Sequence, residues 1–308
     1  MLLSVCAALL LAVERPPNFR KSYTRHATAL HNHLMADYVK QVPPESVRTV
    51  DPAADGLYGS GNYSDAGTDV HVQVRFFKLE EISMVTGSMK IQTWFRNWWQ
   101  DERLSWDPAA FGNITEINLG GTWLEEPDIW LPDVRVYNSK DSLQNRFDQV
   151  YATVDSSGNV FYSRPGVLDV LCKFSGLVAF PYDELSCQFE IAGWGLSGGL
   201  QGLYFRRNSQ GTPIPYEINN QEATAGSSYQ EYKISRIEAQ LDTYFYACCP
   251  NAPWPSARYT VVVARQSAFY KDSVIIPGIM ITVASFGVFF MSYQVRFCDH
   301  ISPCLTPS

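Results

Sequence analysis

Residues 172–187 read CKFSGLVAFPYDELSC, two cysteines bracketing an aromatic-rich segment. A disulfide between Cys172 and Cys187 would close a loop of about 16 residues and constrain the unfolded chain by roughly 3 kcal/mol on the loop-entropy account. Inside the loop, Phe180, Pro181, Tyr182 and Asp183 form an aromatic, proline, aromatic, acid run. The Phe180–Pro181 bond has the cis option that X-Pro bonds use in tight turns. Taken alone, the segment also fits an ordinary surface hairpin held by one staple, so the flanking chain must decide.

Upstream, Val70, Val72, Val74 and Phe76 alternate with His71, Gln73, Arg75 and Phe77, the period of a half-buried strand. Further strands are predicted at Met89–Trp99, Gln149–Val154, Val160–Ser163, Gln188–Gly193, Tyr232–Ile237 and Tyr259–Ala264, with Gly, Asn, Asp and Pro between them. Many short strands at such spacing predict a β-sandwich. Ala27–Lys40 sets Leu30, Leu34 and Tyr38 four residues apart, a short amphipathic helix ended by Pro43 and Pro44, and 51–65 reads as loop. Near the other end, Ser273–Val295 is an uncharged apolar run between Lys271-Asp272 and Arg296. It meets the ~20-residue requirement of a membrane-spanning helix, in which Pro277 is tolerable. The expected fold is mainly β: an immunoglobulin-like sandwich over 22–270 with a short N-terminal helix, then one transmembrane helix over 273–295.

The chain has 308 residues and a net charge of −7, which argues against a nucleic-acid partner and is compatible with attracting small cations. Residues 1–14 are a signal-like apolar leader, and Asn62 and Asn113 open glycosylation sequons that count on a secretory route. Cysteine usage fits that route. Cys6 lies in the leader and Cys298 and Cys304 in the 296–308 tail, and no cysteine spacing resembles a zinc site. No metal, cofactor or phosphate loop is expected.

Five separated aromatics stand out. Ile91 and Phe95 share one strand face, leaving Trp94 with Lys90, Gln92 and Arg96 on the other. Trp94–Pro108 (WFRNWWQDERLSWDP) resembles the segment of nicotinic receptors whose first Trp forms the complementary face of the agonist site. Trp130–Ser139 (WLPDVRVYNS) resembles that family's Trp-x-Pro-Asp stretch, which implies a principal-face role for Tyr137. Trp194, seven residues after Cys187, stands at the position of the principal-face Trp. Tyr246-Ala-Cys248-Cys249 with Pro253-Trp254-Pro255 resembles the mobile loop that caps the site. Arg265, Phe269-Tyr270 and Pro277 match the approach to the first membrane helix, and the Phe-Pro-Tyr-Asp loop resembles the namesake element of the Cys-loop receptors. The resemblance to these pentameric ligand-gated channels covers 27–290 in the family's order.

It implies a ligand-binding set of Trp94, Tyr137, Trp194, Tyr246, Cys248, Cys249, Trp254, Phe161 and Ser163, bridges Cys172–Cys187 and Cys248–Cys249, and coupling through Phe180, Pro181, Tyr182, Asp183 and Arg265. It also implies a small acetylcholine-like cation as agonist, a homo- or heteropentamer, and an ectodomain outside a plasma membrane whose lipid surrounds the helix. The chemistry suits such a guest. A quaternary ammonium has no hydrogen-bond donor, and each ring face offers about 0.5–2 kcal/mol of cation–π attraction. Several rings together reach micromolar affinity, about 8 kcal/mol. For Cys248 and Cys249 free thiols or other partners stay open, because neighbouring Cα atoms about 3.8 Å apart are closer than disulfides prefer.

The chain also departs from the pattern. There is one residue more than usual between Cys249 and Trp254, Trp254 replaces a Tyr, and Phe161 and Ser163 change the complementary wall. Glu190 stands where these receptors carry a Lys and Ser256 where its acidic partner sits, which predicts a reversed Glu190–Arg258 pair. After Val295 only RFCDHISPCLTPS follows, so the family's remaining membrane helices are not in this sequence, and a tethered or soluble binding protein without channel activity is the alternative. An enzyme reading rests on Gly195-Leu-Ser197-Gly-Gly, a G-x-S-x-G match that needs a helix next. His31 and His33, two apart on a helix, face different ways and make a poor metal pair.

Overall fold

The alternation read from the sequence is carried by two packed sheets in the computed structural model, which describes residues 19–45, 67–121, 125–142, 146–174, 177–219 and 231–290. The larger sheet holds β1 (Thr68–Ser83), β2 (Ser88–Ser105), β3 (Glu116–Leu119), β5 (Ala152–Asp155), β6 (Ser157–Leu171), β8 (Gln201–Phe205) and β9 (Tyr216–Ile218). The smaller holds β4 (Arg135–Val136), β7 (Glu184–Ala192), β10 (Tyr232–Tyr246) and β11 (Cys249–Arg265). Their orders are β3-β5-β6-β2-β1-β8, with β9 also on β1, and β10-β11-β7-β4. This is the mainly β sandwich expected. The leader, Asn62, the 51–65 loop and residues 291–308 lie outside the described residues.

Val70, Val72, Val74 and Phe76 are buried, as their spacing predicts. The sheets meet through rings: Phe76 of β1 lies 6.3 Å from Phe189 of β7, which stacks on Tyr259 of β11 at 5.1 Å, and Tyr259 meets Phe205 of β8 at 5.9 Å. Each such side chain, fully buried, contributes about 1.5–3 kcal/mol. The Tyr259 hydroxyl donates to the Pro215 carbonyl at 3.0 Å, so its burial leaves no unmet donor. The Cys172–Cys187 disulfide forms and joins the end of β6 to β7, one sheet to the other. Gly87, at φ +59, lies against it, accepting from the Cys172 N–H, and a Cβ there would meet the Cys172 carbonyl at 3.0 Å. The Phe180–Pro181 bond is cis.

Several boundaries differ from expectation. Helix α1 spans Phe19–Met35; Leu30 and Leu34 are buried on it, but Tyr38 lies past its end. The Tyr38 hydroxyl donates to Asp101 Oδ2 at 2.6 Å and its ring carries Arg103 at 4.4 Å, contacts that draw the chain out of the helix well before Pro43. Strand β8 was not foreseen because all five of its residues are buried, which removes the alternation. Gly202 fits there because a Cβ would strike the Tyr204 ring at 2.7 Å. Strand β11 admits Pro253 and Pro255 because β7 pairs with it only from Ser256 onward, so no ladder partner is lost on that side. Helix α2 (Ser267–Phe290) is long and apolar enough to cross a membrane and none of its apolar window is buried. It begins six residues ahead of the expected span. A π turn at Lys271–Ile275 precedes Pro277, whose ring would otherwise crowd the carbonyl one turn back.

Candidate ligand-binding site

Four of the predicted rings gather at one end of the smaller sheet. Tyr137 follows β4, and its hydroxyl donates to the Gly193 carbonyl at 2.7 Å. Its ring meets Trp194 edge-on, centroids 6.0 Å apart, and Trp194 is 69% exposed. Tyr246 closes β10 and meets Trp254 of β11 edge-on at 6.1 Å. Burial, then the neighbouring Tyr246 hydroxyl, pushes the Tyr137 phenol up to about 12, so it stays a neutral donor. The extra residue before Trp254 is absorbed at the hairpin tip: Phe245 pairs with Pro253, but Tyr246 pairs with Cys249. At that tip the expected vicinal bridge is not formed. The Cys248 and Cys249 Sγ atoms stand 2.7 Å apart, against about 2.05 Å for a bond, in keeping with the short reach between neighbouring Cα atoms.

Asp133, which the sequence reading passed over, positions Trp194. Its Oδ2 accepts the N–H groups of Trp194, Gly195 and Leu196 at 2.8, 2.5 and 3.2 Å. Gln201 clamps the Asp133 backbone from both sides, at 2.9 Å each. The Trp-Leu-Pro-Asp run therefore has a structural office beyond Trp130. The same contacts dispose of the hydrolase elbow. After Ser197 the chain turns and enters β8 as a strand, where the elbow needs a helix.

Beneath the rings, the reversed ion pair is present. Arg258 and Glu190 are register partners, and Arg258 Nε lies 3.1 Å from Glu190 Oε1. Two residues not foreseen complete it: Asp242 at 3.1 Å from Arg258 Nη2, and Tyr244, whose hydroxyl accepts from Arg258 and donates to Glu190 at 3.2 Å. Both share one face of β10 with Gln240, alternating with Ala239 and Leu241, which pack against the core, a signal visible only once β10 is seen to reach Tyr246.

Trp94, Phe161 and Ser163 lie elsewhere, on the outer face of the larger sheet. Trp94 pairs with Pro165, Ser163 with Arg96, and Phe161 with Trp98, so all three project from one face. Trp94 packs on Phe77 at 4.5 Å. Phe161 instead stacks on Trp98 at 4.9 Å beside a cleft of about 540 Å³ that Arg206 and His71 also line. Within one chain the structure thus holds two separate aromatic groups, one per sheet.

At the far end of the sandwich, the coupling residues meet α2. Arg265 donates to Asp183 from Nε at 2.7 Å and from Nη2 at 3.1 Å, and also pairs with Glu231. Its guanidinium lies over Tyr232, Phe180 and Tyr270 at 4.4, 5.0 and 5.3 Å. The Arg265 hydrogen bond holds the Asp183 carboxyl below the usual carboxylate range. Pro181 is buried and Tyr182 exposed.

A stapled two-sheet sandwich with a ring cluster at one end and a membrane-length helix at the other defines a receptor-type ligand-binding domain. Residues 27–267 match the family model described as the neurotransmitter-gated ion-channel ligand binding domain, and the chain belongs to that family. It is 30% identical over 232 residues to the acetylcholine receptor subunit alpha-type acr-16 of Caenorhabditis elegans, covering 72% of this chain and 41% of the relative. The acr-16 subunit of Caenorhabditis briggsae is 29% identical over 231 residues, with the same coverage. The alpha-like 2 subunit of Drosophila melanogaster is 24% identical over 224 residues, covering 72% and 37%. The Cys-loop, nicotinic-like resemblance is borne out. The chain spans about two fifths of the length of these relatives.

Proposed function

We propose that this chain is a subunit of a neurotransmitter-gated ion channel that takes a cationic, acetylcholine-like agonist at a boundary between subunits. Tyr137, Trp194, Tyr246 and Trp254 form the principal side, capped by the hairpin tip that carries the free Cys248 and Cys249 thiols, and Trp94, Phe161 and Ser163 belong to the complementary side. The observation that carries the reading is the convergence of Tyr137–Trp194 and Tyr246–Trp254 at one end of the smaller sheet, with Trp194 left open. Electron-rich ring faces hold a charge that cannot be hydrogen-bonded. The relatives' names, all acetylcholine receptor subunits, point the same way.

Agonist capture closes the 240–257 hairpin over the cation. The movement reaches the membrane through β10 and β11, whose far end holds Arg265, and through the Cys172–Cys187 loop, which Asp183 and Phe180 tie to Arg265 and α2. The sandwich stands outside the cell with Asn113 glycosylated; this residue is exposed, just past the short Pro108–Phe111 turn. Helix α2 lies in lipid, and five subunits assemble. The experiment is equilibrium binding of acetylcholine to the detergent-solubilised chain and its Trp194→Ala variant. Loss of about 2 kcal/mol, a thirtyfold weakening, is expected from removing one well-placed ring. Unchanged affinity rejects the site.

A further inference from the structure

The face that would serve a neighbour as its complementary side carries two arginines on the very ring assigned to the ligand. Trp94 is the register partner of Arg75, and Arg96 follows it on the same face of β2. Arg75 Cζ lies 5.2 Å and Arg96 Cζ 5.4 Å from the Trp94 ring centroid, both within the ~6 Å reach of a cation–π contact. Phe77 packs against Trp94 at 4.5 Å and also carries Arg75, at 5.5 Å. The two guanidiniums share one carboxylate: Glu217 Oε2 is 3.1 Å from Arg96 and 3.7 Å from Arg75. Arg96 also donates to Gln73 Oε1, a neutral partner, at 3.0 Å. One positive charge therefore remains on the patch.

A ring whose quadrupole already serves two guanidiniums has little left for an incoming ammonium, and the surplus charge repels it. We infer that Arg75 and Arg96 close this chain's complementary face to a quaternary ammonium, so that the cation held on its principal rings is completed by a different subunit. That partner presents an aromatic ring with no guanidinium on it. Two copies of this chain make a poor cation site between them. Arg75 and Arg96 are specificity-determining residues, and the inference rests on the principal-side reading above.

The test titrates the intact detergent-solubilised chain with acetylcholine as probe and compares wild type, Arg75→Gln/Arg96→Gln, and that double variant with Trp94→Ala added. The double variant is expected to bind at least tenfold more tightly, about 1.4 kcal/mol, and Trp94→Ala to erase the gain. No gain, whether both proteins bind alike or neither binds, overturns the inference, as does a gain that survives Trp94→Ala. Arg75→Gln alone keeps the Arg96–Glu217 pair and should gain about threefold, about 0.6 kcal/mol, which covers a double variant that does not fold. Trp194→Ala in the double variant separates the two failures. If it leaves binding intact, the principal-side reading has failed; if it abolishes binding that the arginine changes never improved, only this inference has.

Discussion

Replacing Asp183 by Asn removes the negative half of the pair that ties the Cys172–Cys187 loop to the end of β11. The Asp183 side chain has no exposed surface and that of Arg265 is 6% exposed, with two hydrogen bonds between them. Breaking a buried pair by deleting one partner costs about 3–5 kcal/mol, because the other charge is left uncompensated. Arg265 keeps Glu231 and three rings, so the lower end, about 3 kcal/mol, is expected. Urea unfolding followed by tryptophan fluorescence should show the midpoint falling by about 1–3 M, given slopes of about 1–3 kcal/mol/M.

The pH dependence follows from the depressed Asp183 carboxyl. The unfolded state binds the proton first, so the stabilisation is fully present above the ordinary Asp value near ~3.9 and is lost as pH falls through the lower native value. The gap between wild type and Asp183→Asn should hold steady from neutral pH to about 5 and narrow below about 4. A gap under about 0.5 kcal/mol at neutral pH, the size of an ordinary surface substitution, refutes the reasoning. So does a gap indifferent to acid.

The Glu190–Arg258 pair is more open, at 29% and 26% side-chain exposure, so solvent screens it. A double-mutant cycle should return a coupling of about 1 kcal/mol or less, smaller than the cycle for Asp183–Arg265. Asp133→Ala strips three N–H groups of their acceptor and should speed amide exchange at Trp194, Gly195 and Leu196 more than tenfold, about 1.4 kcal/mol of local stability. Exchange as slow as in wild type would remove Asp133 from its positioning role. Serine at both Cys172 and Cys187 should lower stability by about 3 kcal/mol in calorimetric melting, from the loop of about 16 residues it reopens.

Periodicity made the large sheet legible where polar and apolar side chains alternate, as in Val70–Phe76, and failed where every residue is buried without alternation, as in β8. The ring cluster of Tyr137, Trp194, Tyr246 and Trp254 was legible through resemblance, since no local pattern distinguishes a ligand-facing Trp from a packed one. The Glu190–Arg258 exchange was legible through resemblance, since Glu190 stands where the family carries a Lys, and Arg258, just ahead of a predicted strand, falls opposite it in a regular register. Asp133, Asp242 and Tyr244 were missed for a common reason. Their partners lie 60 or so, 16 and 54 or fewer positions away, at distances fixed only by strand register and hairpin length. The guanidinium cover on Trp94 depends likewise on Arg75 of β1 falling opposite it in register.

Stepwise fluorination of the Trp194 ring asks whether π-electron density holds the guest, because each fluorine drains the ring face while barely altering its size. If the account is right, the logarithm of acetylcholine affinity falls steadily with the number of fluorines, to at least a tenfold loss, about 1.4 kcal/mol, at full substitution. An affinity that stays level across the series would contradict it, whatever Trp194→Ala does.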